Sequence, residues 1–182
     1  MVKKYPSRED IAEMRVRGYD STTIQEALEG VKRGDEVNRL KAQINDAFAG
    51  VKLGSGIGLY EAQALDGYAD CATQALQRER DEREDWRAIS AEQLNECNSS
   101  LSFFDAEGMR FHLPAYLIAD LDGAYKFGMD FCLTHCPDHR FALLNPRQAE
   151  AISQFLRFIE NEPDYSMSRD HIRHAIDQYW VA

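Results

Sequence analysis

The sequence predicts an α+β fold that is mostly helical, with helices packed on a small antiparallel β-hairpin or three-stranded sheet. Apolar residues recur at helical spacing between capping signals over most of the chain. Two aromatic-rich runs, 101–104 and 109–112, flank the turn Asp105-Ala106-Glu107-Gly108, the pattern of a hairpin. Phe131-Cys132-Leu133 and Phe141-Ala142-Leu143-Leu144 read as further short strands.

Ser7, followed by Arg8-Glu9-Asp10, caps a first helix and places two acids in its first turn, where the helix dipole favours them. Gly18 stops it. Asp20-Ser21-Thr22 opens a second helix, with Thr22 and Gln25 spaced as a capping box. Gly34-Asp35 either interrupts or restarts that helix, and Val37, Leu40, Ile44 and Phe48 carry the apolar face on to Gly50. The segment 1–34 is therefore set apart as an N-terminal helical hairpin, and 35–182 as a single globular α+β domain. The glycines in Leu53-Gly54-Ser55-Gly56-Ile57-Gly58 lack the preceding strand and the spacing of a phosphate loop, so they read as a helix–helix connection. Residues 59–85 read as one long helix with Leu59, Ala62, Leu65, Ala69, Ala72 and Leu76 as its seam. Its charged end, 78–85, projects into solvent, supported by Arg78–Glu82, Glu79–Arg83 and Arg80–Glu84 at i,i+4. Ser90 and Gln93 form another capping box. Pro114 fits the first turn of a helix, Asn145-Pro146 opens another, and Ser168 caps the last. Phe103, Phe111, Leu117, Phe155 and Ile159 are the expected core.

At 182 residues and 44% hydrophobic content the chain is long and apolar enough for a real core. No secretory signal or membrane-spanning run is read, and four cysteines do not make a disulfide scaffold, so a cytoplasmic protein with reduced thiols is expected. The net charge of −10 is concentrated in 55–130, which alone carries a balance of −9. That field repels nucleic acid and attracts a basic protein, although solubility alone also accounts for it. The helix–turn–helix spacing at 8–31 offers Glu26 and Glu29 where a DNA reader needs basic or amide residues.

Four soft ligands fall within eight residues at Cys132, His135, Cys136 and His139, and His171 and His174 sit at i,i+3. Structural zinc normally joins two ligand pairs across a longer loop, and helical histidines are mostly polar surface, so no metal and no cofactor is expected. No Ser-His-Asp or Cys-His-Asn arrangement stands out.

The block Phe103-Phe104-Asp105-Ala106-Glu107-Gly108-Met109-Arg110-Phe111-His112-Leu113-Pro114-Ala115-Tyr116-Leu117 is the most distinctive stretch. With 44–48 and the 54–59 turn upstream and Gln148, Ala151-Ile152 and Phe155-Leu156 downstream, it resembles a family of small bacterial proteins of unknown function over about residues 36–160. The resemblance implies a shared fold and carries over no functional residue.

The expected function is a non-enzymatic protein-binding module, in its sharpest form an immunity protein or antitoxin that neutralises a bacterial toxin of basic surface. The partner-binding residues expected are Tyr60, Glu61, Asp66, Tyr68, Asp70, Asp105 and Glu107, with neither nucleic acid nor membrane as partner. The alternatives are a small metal-dependent hydrolase, and a regulatory adaptor binding through the N-terminal hairpin.

Overall fold

A computed structural model describes residues 4–135 and 139–180. Among them there is no strand, and the regular structure is helical throughout: α1 (Arg8–Val16), α2 (Ser21–Ala47), α3 (Leu59–Asp66), α4 (Cys71–Arg78), α5 (Ala91–Glu96), α6 (Ala106–Leu121), α7 (Asp130–Thr134), α8 (Pro146–Ile159) and α9 (Arg169–Gln178), with short 3-10 turns between. The α+β expectation is therefore wrong, and α6 shows why. Twelve of its sixteen residues are buried, among them Phe111, Leu113 and Leu117. A helix buried on nearly every side has no polar face, so the 3.6-residue rhythm disappears and aromatic runs mimic strands. Gly108 and Pro114, which look like breakers, both lie inside it. Gly108 is needed because a Cβ there would strike the Ile57 carbonyl. Of the other two presumed strands, 131–133 lies within α7, and 141–144 is the end of the 3-10 turn His139–Phe141 and the turn after it.

Capping residues set most of the other starts. Ser7 forms a capping box with Asp10, Ser90 with Gln93, and Asn145 with Gln148 behind Pro146. Asp20, rather than Thr22, caps α2. Ser168 precedes α9 without capping it; its hydroxyl donates to Asp130 instead.

Helix α2 runs unbroken through Gly30 and Gly34, so the sequence boundary at 34/35 falls inside a continuous helix. Each interior glycine costs a helix about 1 kcal/mol relative to alanine. The gain is close approach: Cβ atoms at Gly30 and Gly34 would lie 2.9 Å from Pro6 and 2.8 Å from Tyr5.

Residues 59–85 are not one helix. The chain turns back at Gly67–Asp70 with Tyr68 in the left-handed region (φ 53), and Asp70 starts α4 by accepting the Thr73 N–H. Leu76, expected in the seam, is exposed. The fold-back brings Arg78 onto Glu61 through two bonds of 2.8 and 3.0 Å, which replaces the expected local pairing with Glu82. The core lies between α2, α6 and α8. It holds Phe111, Leu117, Phe155 and Ile159, with Phe103 half-buried at its margin.

Candidate functional site

The charged segment after α4 does not project. It wraps the glycine turn 54–58. Arg78 and Arg83 donate to the carbonyls of Ser55 and Gly54, and Lys52 pairs with Glu84. Asp81 is buried and accepts the N–H groups of Tyr60 and Glu61, capping α3, whose own cap position, Gly58, has no side chain. A Cβ at Gly58 would overlap Asp81. Burial outweighs these two bonds and raises the Asp81 carboxyl above its ordinary range.

The expected partner-binding residues lie on or beside this belt, and most are occupied internally. Asp105 caps α6 through the Gly108 N–H at 2.7 Å and also accepts the Ile57 N–H at 3.1 Å. Glu107 receives the Ser55 hydroxyl at 2.7 Å. Glu61 is held by Arg78, and Asp66 accepts the Ser99 hydroxyl at 2.8 Å. The Tyr60 hydroxyl accepts from Gln93, and Arg80 lies 4.1 Å over the Tyr60 ring. Asp70 is exposed, and the Thr73 N–H and hydroxyl hold its carboxyl below the usual range. Tyr68 stands fully in solvent at 96% exposure. Tyr60, Glu61, Asp105 and Glu107 gather around the glycine turn, and Asp66, Tyr68 and Asp70 sit at the α3–α4 turn.

A different set of acids faces a cavity at the other end of α6. It encloses about 400 Å³ and is lined by Asp120, Asp130 and Asp164, with Tyr125, Phe127 and Tyr165 among its walls and Lys126 beside them. Asp120 is buried on the last turn of α6, and both its oxygens lie 2.6 Å from the Tyr165 hydroxyl. Burial, then the adjacent Asp120 charge, pushes the Tyr165 phenol well up, so it stays a neutral donor. Gly128, in the left-handed region (φ 72), lets the chain pass Tyr165; a Cβ there would lie 3.2 Å from that ring. A second cavity of about 320 Å³ shares Tyr125, Phe127 and Gly128, and adds Phe131, Cys132, His135 and Arg140. Phe127 and Phe131 are 56% and 70% exposed, so the segment between the cavities carries a solvent-facing aromatic ridge.

Carboxylates and aromatic walls suit a cation. The C-terminal end of a helix carries about half a negative charge, which adds to Asp120. Two other titratable groups are held in their neutral forms. Burial lifts the Cys97 thiol to about 11 and drops the buried His112 imidazole to about 4. His112 stacks on Phe104 and bonds through Nδ1 to the Gly108 carbonyl at 2.7 Å. Among the described residues, no group of three or more His, Cys, Asp or Glu side chains is placed to hold a metal ion. Cys136 lies outside the described residues.

Sequence reasoning missed Asp120, Asp130, Asp164 and Tyr165. The signal was the run Asp120-Leu-Asp122-Gly123-Ala-Tyr125-Lys-Phe127-Gly128-Met-Asp130, a loop dense in acids, aromatics and glycine between two apolar helices.

Comparison with curated proteins and with solved structures finds no match. A family model does match, over residues 35–182. The match runs through α9, further than the 36–160 of the sequence resemblance, and begins inside α2. The chain belongs to the family of unknown function DUF6714.

Proposed function

We propose that the chain is a protein-binding module that receives a lysine or arginine side chain of a basic partner in the cavity between Asp120, Asp130 and Asp164. An immunity protein or antitoxin occluding a basic toxin in the cytoplasm is the sharpest form of this reading. The observation that carries it is the cavity itself. Three carboxylates converge there at the negative end of α6, against one lysine, and aromatic rings stand on its walls. A guanidinium or ammonium meets opposite charge and ring faces together there. Phe127 and Phe131 beside it offer the exposed aromatic contacts that interfaces favour. The net charge of −10 speeds the approach of a basic surface.

The test is calorimetric titration of the protein with a short arginine-containing peptide and with the same peptide carrying glutamate instead. Saturable binding of the first alone is expected, weakening with salt. The Asp130→Asn, Asp164→Asn double variant should lose at least tenfold in affinity. Equal affinity of variant and wild type would remove the cavity from the account.

A further inference from the structure

We infer that His135 and His171 together form a divalent transition-metal site that joins α7 to α9. The sequence holds two separate groups of metal-ligand residue types, one around Cys132–His139 and one at His171 and His174. The fold brings one member of each together. The His135 and His171 rings lie 6.0 Å apart between centroids, tilted by 36°, and both are exposed. Two imidazoles sharing one tetrahedral zinc at Zn–N distances of about 2.0–2.1 Å have centroids roughly 5 Å apart, a side-chain adjustment away.

The His135 ring is already held as a ligand requires. Its Nδ1 lies 3.1 Å from the Phe131 carbonyl, one turn back in α7. The Thr134 hydroxyl lies 3.2 Å from the same nitrogen; a carbonyl can only accept, so the Phe131 contact favours the tautomer with its proton on Nδ1 and its lone pair on Nε2. A backbone carbonyl on the far nitrogen is the usual orienting partner of a metal-bound histidine. Phe131 also stacks on the His135 ring at 4.1 Å and fixes its plane. On the other side, α9 is tied to α7 by the Trp180 indole N–H, which donates to the Leu133 carbonyl at 2.9 Å. His171 is thus carried on an element anchored against α7. His174 is placed differently, against Tyr179 at 6.1 Å. Imidazole ligands suit Zn²⁺, Cu²⁺ or Ni²⁺, and solvent fills the positions the two histidines leave open.

The experiment is calorimetric titration of the full chain with Zn²⁺ in a non-thiol reductant, repeated with Co²⁺ by absorption spectroscopy. Saturable binding of one zinc per chain is expected, with a rise in melting temperature. Affinity should fall tenfold or more in His135→Ala and in His171→Ala and stay unchanged in His174→Ala. Both substituted side chains are exposed, and circular dichroism establishes that each variant folds. No saturable binding below roughly 1 mM would overturn the site. So would wild-type affinity retained in the His135→Ala and His171→Ala variants, or a sulfur-to-cobalt charge-transfer band that persists in both, which would assign the metal to cysteines.

Discussion

The two ends of α6 both carry aspartate and use it oppositely. At the N-terminus, Asp105 sits where the helix dipole is positive and accepts two backbone N–H groups, one of its own helix and one of the glycine turn. At the C-terminus, Asp120 sits where the dipole is negative, and it is buried there beside a cavity that Asp130 and Asp164 also line. At the first end the carboxylate matches the sign of the dipole. The second adds carboxylates to an already negative pole, with the Tyr165 hydroxyl holding Asp120, and is the end where we propose that a cation is received. Equal formal charge in a sequence therefore says little about what an acid does; the end of the helix on which it sits sets its electrostatic surroundings.

The largest expected effect comes from the middle of α6, which both ends depend on. Phe111 is wholly buried. Phe111→Ala should cost about 3–5 kcal/mol of stability by chemical denaturation. A near-unchanged denaturation midpoint would mean that the two ends are not coupled through a packed helix.

Next is a pH dependence that belongs to the N-terminal half. The His112 imidazole is lowered to about 4 by burial, from an ordinary 6.5. The unfolded chain then binds more protons than the folded one between these values. The stability from keeping His112 neutral is complete above pH 6.5 and is lost as pH falls toward 4, on the order of 3 kcal/mol in all. In His112→Phe this part of the pH profile should flatten. An identical profile in the variant would place the acid sensitivity elsewhere.

Asp105→Ala should cost about 2 kcal/mol, because it removes a helix cap and leaves the Ile57 N–H without its acceptor. Asp164→Asn, at an exposed position of the opposite end, should shift stability by no more than about 0.5 kcal/mol. Comparable losses in the two variants would erase the distinction between the two ends.

Much of this was legible in the sequence. Ser7, Ser90 and Asn145 announced their helices because capping chemistry is local. Phe111, Leu117, Phe155 and Ile159 announced the core. What failed was non-local. The burial of α6 erased its periodicity. Gly34 read as a possible break although Tyr5, from the N-terminal segment, fills its place on α2. The charged stretch 78–85 read as solvated helix because its actual partners, Ser55, Gly54 and Glu61, lie 17 to 29 residues upstream. The cavity acids were visible as residues but not as a group, since Asp164 reaches Asp120 and Asp130 only through the fold.

The most direct test compares two pairs of charge-removing variants in one peptide-binding and melting experiment. In the first, Asp130→Asn and Asp164→Asn are combined; in the second, Glu61→Gln and Glu107→Gln. The first pair should lose at least tenfold in affinity for the arginine-containing peptide while melting close to wild type. The second should melt lower, having lost the charge that pairs with Arg78 and strengthens the Ser55 bond, and bind the peptide as wild type does. Loss of peptide affinity in the second pair with retention in the first would contradict the assignment of the binding acids to the C-terminal end of α6.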